Sequence, residues 1–357
     1  MKIWERYFFF DTLKVLLFLL CAFSALYVLI DYASHTGTFH QNHIRFSIKE
    51  FFIYYGGELI QKSDVILPFG ILVATIRVLT KLNTNNELVA LLAAGIQLKR
   101  LLRPFIYIGL LGVAFLYLSE ELLSPWLISS ARSIGEKHAG DQSSKLENPA
   151  AHRVQLEDGT LLLFQTYNRI DQRFYDVWWI PSVNELWRIK TLDILPSVIG
   201  REVENFKRDT TLAVVSTGRV PERTFPEIRF NQKRLLESLT RPEDLALSEL
   251  ATKLTTEVSS EKEARVETAF WRKLFMPWLA LFAVLGPAPL CLVFSRNLNT
   301  FFIYAVSMFG LVFVYILLNA STTLAYRQIF TPLLSLLIPF SALSLLLTWR
   351  WIRIKNM

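Results

Sequence analysis

The side chains that could do chemistry fall into three groups, and two of them fail on spacing. His35, His40 and His43 share one loop between apolar blocks. They form no i, i+4 helical pair, and no carboxylate or thiol set completes a coordination sphere, so a surface loop is the simpler reading. His152, Asp158, Glu185 and Glu202 could supply an acid and a base. Nothing in their spacing brings two together, and no nucleophile elbow or metal motif accompanies them.

The third group does mechanical rather than covalent chemistry. Residues Thr84 to Gly95 read as a short helix with written ends. Thr84 and Glu87 fit a capping box, and Gly95 suits the left-handed closing position. About ten residues rise roughly 15 Å, too little to cross a bilayer. Leu88, Leu91 and Leu92 share one face, with Gly95 continuing the stripe. Such a ridge fits a partner's groove, and it equally fits packing on lipid or on the chain's own spans.

That helix has to be positioned by membrane spans. Hydrophobic residues make up 52% of the 357-residue chain, and the mean hydropathy is +0.33. They come in blocks near the roughly 20 residues a bilayer core requires. Six blocks qualify: Val15 to Ile30, about Val65 to Leu79, Leu101 to Leu118, Leu274 to Phe294, Phe301 to Leu318 and Ile329 to Leu347. No A-x-A-like cleavage site follows Ile30, and Leu20 stands before Cys21 where a lipoprotein would need a small residue, so the first block reads as a retained span. Cys21 and Cys291 both fall in apolar blocks and offer no disulfide framework.

The termini and the short loops on their side hold Lys2, Arg6, Lys14, Arg77, Lys81, Lys99, Arg100, Arg103, Arg296, Arg350, Arg353 and Lys355. Only Glu5, Asp11 and Glu87 oppose them. Positive charge is retained on the cytoplasmic side, so both termini are expected there, with the large insert outside. The pI of about 9.3 is thus a topology signal. No basic stripe with interleaved aromatics marks nucleic-acid binding.

The chain therefore divides into residues 1–134 with spans one to three, 135–265 as an outer domain and connector, and 266–357 with spans four to six. Within the insert, Arg153 to Leu156 and Leu161 to Thr166 flank an Asp158-Gly159 hairpin signal. Phe174 to Ile180, Glu185 to Leu195, Val198 to Phe206 and Thr211 to Ser216 have strand length and composition. The expected fold is an α-helical polytopic membrane protein with an inserted all-β, jellyroll-like domain. Trp178-Trp179 reads as core rather than a ligand platform. Leu245, Leu247, Leu250 and Leu254 precede a charged run and read as a helical connector into span four.

The stretch Glu87-Leu88-Val89-Ala90-Leu91-Leu92-Ala93-Ala94-Gly95, followed by Arg100 and Arg103-Pro104, resembles the coupling-helix signature of the lipopolysaccharide-export permeases, the LptF/LptG family. Arg241-Pro242-Glu243-Asp244-Leu245-Ala246-Leu247-Ser248-Glu249-Leu250 is similar to that family's exit from its periplasmic domain. Glu267 through Phe270-Trp271-Arg272 to Pro277 is similar to its entry to span four. Asp31 and Phe270-Trp271-Arg272 lean toward the LptG type.

The resemblance implies a non-catalytic permease of an ABC-type exporter in the bacterial inner membrane, with a periplasmic β-jellyroll. The implied partners are a sister permease, a dimeric cytoplasmic LptB-type ATPase, a membrane-anchored LptC-type protein, a periplasmic LptA-type bridge, and lipopolysaccharide. It implies ATPase coupling through Glu87, Leu88, Leu91, Leu92, Gly95, Arg100 and Arg103. No cofactor is expected on this chain, because no G-x-x-x-x-G-K-[ST] loop is present and ATP is used by the partner. The family's lysines near the outer end of span one are replaced here by Asp31-Tyr32-Ala33-Ser34-His35. The substrate set is then Asp31 and His35, with Arg45, Lys49 and Lys62 either as cationic donors to phosphates or as plain solvated loop charges.

Two other functions are open to the same sequence. A membrane-anchored enzyme with an extracytoplasmic β domain lacks a paired acid and base. A secondary lipid transporter would show matching halves and intramembrane charges. Here only the first half carries a long amphipathic loop, and no charged residue lies deep in spans four to six. Pro104, Pro277, Pro287, Pro289 and Asn319 read as kink and packing features.

Overall fold

The computed structural model describes residues 2–41, 48–123, 126–127, 130, 152–156, 159–168, 173–182, 184–194, 198–208, 214–228, 242–254, 260–293 and 300–355. It divides into two compact units, Met1–His138 with Pro242–Met357, and Ala139–Arg241.

The first unit is helical: α1 (Ile3–Gln41), α2 (Ile48–Gln61), α3 (Ser63–Thr84), α4 (Glu87–Ala93), α5 (Leu98–Leu118), α6 (Leu247–Leu254), α7 (Ser260–Phe275), α8 (Leu279–Leu285), α9 (Ala288–Val293), α10 (Thr300–Tyr326) and α11 (Pro332–Lys355). Among the described residues, six stretches are long and apolar enough to cross a membrane: Ile3–Ser34, Ser63–Thr84, Arg100–Leu123, Ala264–Leu292, Thr300–Tyr326 and Pro332–Ile352. Each expected apolar block lies largely within one of them. The helices run on beyond the blocks, because a helix extends through charged residues that a hydropathy reading excludes. The loop between spans one and two is itself largely helical, as α2.

The bundle core is built from α3, α5 and α8, with Ile71, Ile76, Phe105, Ile108 and Ala280 fully buried. Two glycines allow α5 to lie close to its neighbours. A Cβ on Gly112 would stand 2.6 Å from Ile71 Cδ1 and 3.2 Å from Ala280 Cβ, and one on Gly109 would stand 3.3 Å from Leu281 Cα. Without a hydrophobic driving force between spans, such close backbone approach supplies the dispersion contacts that hold them.

Span four is segmented, with a 3-10 turn at Met276–Trp278 between α7 and α8 and a break at Gly286-Pro287 before α9. Pro277, Pro287 and Pro289 each remove an amide from the ladder. The carbonyl of Leu285, four residues before Pro289, instead accepts a hydrogen bond from Trp351 Nε1 at 3.3 Å. A neighbouring helix thus satisfies the freed group.

The second unit is an antiparallel sheet of β1 (His152–Gln155), β2 (Leu161–Phe164), β3 (Thr166–Asn168), β4 (Arg173–Ser182), β5 (Glu185–Asp193), β6 (Ile199–Arg208) and β7 (Val214–Thr224). The order is β1-β2-β4-β5-β6-β7, with β3 also paired to β4. The expected hairpin forms, with Gly159 at φ +76 and Leu156 N donating to Thr160 O at 2.9 Å. Phe164, Phe174, Val177, Trp179, Ile189, Leu192, Val203 and Phe225 make one core. Trp179 is buried there, while half-buried Trp178 stacks on Phe206 on the other face. β7 runs past Gly218 and Pro221, where the sequence suggested a stop at Ser216. The β6–β7 register shifts between Asn205 and Phe206, and Pro221 stands where no bridge forms.

That unbridged position belongs to a row. Asp176, Lys190, Glu202 and Pro221 are in register across β4 to β7, and the ladder skips all four. Asp176 and Glu202 have φ of 49° and 51°. On either side of the row the buried residues stand three apart rather than two: Phe174 and Val177, Ile189 and Leu192, Gly200 and Val203. Ion pairs staple its outer face, Lys190 to Glu202 at 2.7 Å and Arg219 to Glu202 at 2.8 Å.

Candidate functional site: a docked helix and a ring of ion pairs

At the end of the bundle that carries the termini, α4 follows α3 after a two-residue turn. Thr84 is the last residue of α3, and its hydroxyl donates to Lys81 O at 3.0 Å. The expected capping box therefore does not form, because the second span continues past its apolar block and absorbs the threonine. Asn86 caps α4 from a left-handed conformation at φ 59. Asn85 Nδ2 donates to Glu87 Oε1 at 3.2 Å.

The other end follows the sequence. Gly95 has φ +77, its amide donates to Leu92 O, and Ile96 N donates to Leu91 O. This is the paired closure that a left-handed glycine permits.

The apolar ridge divides between two environments. Leu88 is 4% exposed within the bundle core, and Leu91 packs partly against it. Leu92 is 41% exposed and Val89 42%. Ala90 and Ala93 are exposed and Glu87 is half-buried. Arg100 and Arg103 project from the start of α5, both exposed. Leu88 and Leu91 thus anchor the helix, leaving Val89, Leu92, Glu87 and the arginines for anything that docks.

The expected substrate set lies at the opposite end. Asp31 is on α1, exposed Lys49 is on α2, and exposed Lys62 stands between α2 and α3. Arg45 and His43 lie outside the described residues, as do the side chains of His35 and His40. The two helices meet through tyrosines. Tyr27 Oη donates to Glu58 Oε2 at 3.1 Å. Tyr55, itself buried, has its phenol raised above the ordinary value by burial and by Asp31. Burial, with Glu58 and Asp31 nearby, pushes Tyr54 up to about 12. Asp31 thus stands near Tyr54 and Tyr55 of α2.

Sequence reading missed a ring of ion pairs at this same end. Arg272 stands 3.5 Å from Asp64, and Lys273 stands 3.5 Å from Glu120. Lys273 Nζ donates to Leu245 O at 3.0 Å, and Tyr326 Oη donates to Glu243 Oε1 at 2.9 Å. Glu121 accepts from both the amide and the hydroxyl of Ser248. Asp64, Glu120, Glu243, Arg272 and Lys273 line a cavity of about 220 Å³. Asp64, Glu120, Arg272 and Lys273 abut or lie just beyond the expected apolar blocks, and their complementary signs were the available signal. The contacts tie residues 120–121 and 242–248, which bracket the inserted unit in the chain, to one another and to spans four and five, and Asp64 ties span two to span four.

Among the described side chains of the inserted unit, Glu185 and Glu202 are not brought together. Glu185 pairs with Lys207 and Glu202 with Lys190, Asp158 lies outside the described residues, and His152 is on β1.

A family model described as lipopolysaccharide export system permease LptF/LptG matches residues 6–353. No curated protein matches the chain.

Proposed function

The chain belongs to the lipopolysaccharide export permease family LptF/LptG, and on that footing we propose that it is the non-catalytic membrane subunit of an ATP-driven exporter of the bacterial inner membrane. It draws lipopolysaccharide from the outer leaflet and passes it, through a jellyroll formed by its periplasmic domain, to an LptA-type bridge anchored by an LptC-type protein. Its partner in the membrane is a sister permease, this chain taking the LptG role. An LptB-type ATPase dimer supplies the stroke.

One observation carries the coupling part of this reading. α4 is a short helix fixed to its own bundle by Leu88 while Val89 and Leu92 stay exposed beside Glu87, Arg100 and Arg103. A rigidly docked helix with a small apolar face transmits displacement, and charged neighbours set its register on a partner. Lys49 and Lys62 provide exposed cations for lipid A phosphates.

The test is co-purification of the ATPase with the wild-type chain, Glu87→Ala and Leu92→Asp, in the presence of the sister permease. Both changes should lower recovered ATPase with the membrane subunits still associated. Recovery indifferent to both would sink the coupling assignment. For cargo, photo-crosslinkers at Lys49 and Lys62 should capture lipopolysaccharide, and capture of phospholipid alone would overturn that part.

A further inference from the structure

Away from α4 and the ion-pair ring, α8, α10 and α11 border a groove of about 770 Å³, lined almost wholly by apolar side chains. Two polar groups in it lie toward the termini end of the bundle. Arg350 closes that end. Ser307, 9% exposed, lines the groove with a buried hydroxyl that has no hydrogen-bond partner. Elsewhere in the bundle Thr12, Thr80, Thr268 and Ser344 donate to the carbonyl four residues earlier. A buried hydroxyl left unpaired forfeits its solvation without compensation. Ser307 is therefore placed for an acceptor that arrives from outside the chain.

The depths of the two groups define that acceptor. α10 and α11 are antiparallel neighbours, so Thr300 and Lys355 lie at the same end. At 1.5 Å per residue Ser307 is about 10 Å in from the start of α10, and Arg350 about 7.5 Å in from the end of α11. Arginine also extends its charge back toward the membrane surface. The groove thus presents a cation near the surface, a hydroxyl donor deeper, and then apolar walls such as Leu311, Val314 and Leu343. Phosphate, ester carbonyl and acyl chain follow in that order in a glycerophospholipid.

We propose that this groove binds an anionic phospholipid of the leaflet on the side of the chain termini, its phosphate on Arg350 and an ester carbonyl accepting from Ser307. Net negative charge favours the site because its described lining carries the Arg350 cation and no carboxylate. The inference stands independently of the export reading.

The test uses the full chain in phosphatidylcholine vesicles doped with photoactivatable phosphatidylglycerol or, in parallel, photoactivatable phosphatidylcholine. The wild type should label several-fold more with phosphatidylglycerol, on peptides from α10 and α11. Arg350→Gln should bring the two labels to parity and Arg350→Lys should keep the bias. Ser307→Ala should lower phosphatidylglycerol labelling without lowering the melting temperature. Equal labelling of the wild type by both lipids, or a bias that survives Arg350→Gln, overturns the proposal. So does displacement of the label by lipopolysaccharide, or capture of a polypeptide by a crosslinker at Leu317.

Discussion

Replacing Leu88 by alanine should undock α4, while replacing Leu92 should leave it seated and remove only its grip on a partner. Leu88 is 4% exposed inside the bundle core, and truncating a buried leucine costs about 3 kcal/mol. A helix of seven residues has no stability of its own, since isolated helices under about 12 residues are marginal in water. The leucine contacts therefore hold it, and losing about 3 kcal/mol raises the undocked fraction roughly a hundredfold. Amide exchange by mass spectrometry over residues 85–97 of the full chain reads this directly. Leu88→Ala should accelerate exchange there while the core peptides of α5 stay protected. Leu92→Ala, at a site 41% exposed, should change stability by no more than about 0.5 kcal/mol and leave exchange unaltered while ATPase recovery falls. If Leu88→Ala left exchange untouched, or if both variants accelerated it alike, the division of the ridge into anchor and contact would be refuted.

Lys273→Met should destabilise the bundle by about 3 kcal/mol, because it leaves Glu120 facing low-dielectric surroundings without its cation. Adding Glu120→Gln should restore part of the loss, and simple additivity in detergent melting would deny the pair. Gly95→Ala forces φ +77 on a residue with a Cβ and should cost about 1 kcal/mol, seen as faster exchange of the Gly95 and Ile96 amides. Glu202 is held below its ordinary value of 4.5 by Lys190 and Arg219. A depressed folded-state pKa gives stability that is present above the unfolded value and lost as pH falls through the folded one. The stability gap between wild type and Glu202→Gln, followed by tryptophan fluorescence in denaturant, should be constant above about pH 5 and close below it; a gap that widened on acidification would contradict the pairing.

The spans were legible because a bilayer enforces a length and a composition that any window can see. The hairpin at Gly159 was legible because one residue type tolerates its backbone. What sequence could not assign was the partner of each face. Leu88 and Leu92 are chemically identical, and only the position of α3 decides that one is buried and the other free. Thr84 looked like a cap because a hydropathy reading ends the second span early, though the helix does not stop there. The ring of Asp64, Glu120, Arg272 and Lys273 joins residues far apart in the chain, each of which alone resembles a solvated end. Asp176 and Glu202 gave no sign of left-handed backbone, since neither is a glycine or an asparagine.

The row of Asp176, Lys190, Glu202 and Pro221 constrains how the inserted domain can change. Each strand carries its extra residue at the same level, so the two halves of the sheet are out of step by one residue in which face is inward. Deleting Lys190 by itself would put β5 out of phase with both neighbours, turning either Trp187 and Ile189 or Leu192 toward water. Removing the row from β4 to β7 together would preserve every pairing while straightening the sheet. Insertions and deletions at this level are therefore tolerable only as a coordinated set, and strand length here is a property of the sheet rather than of any one strand.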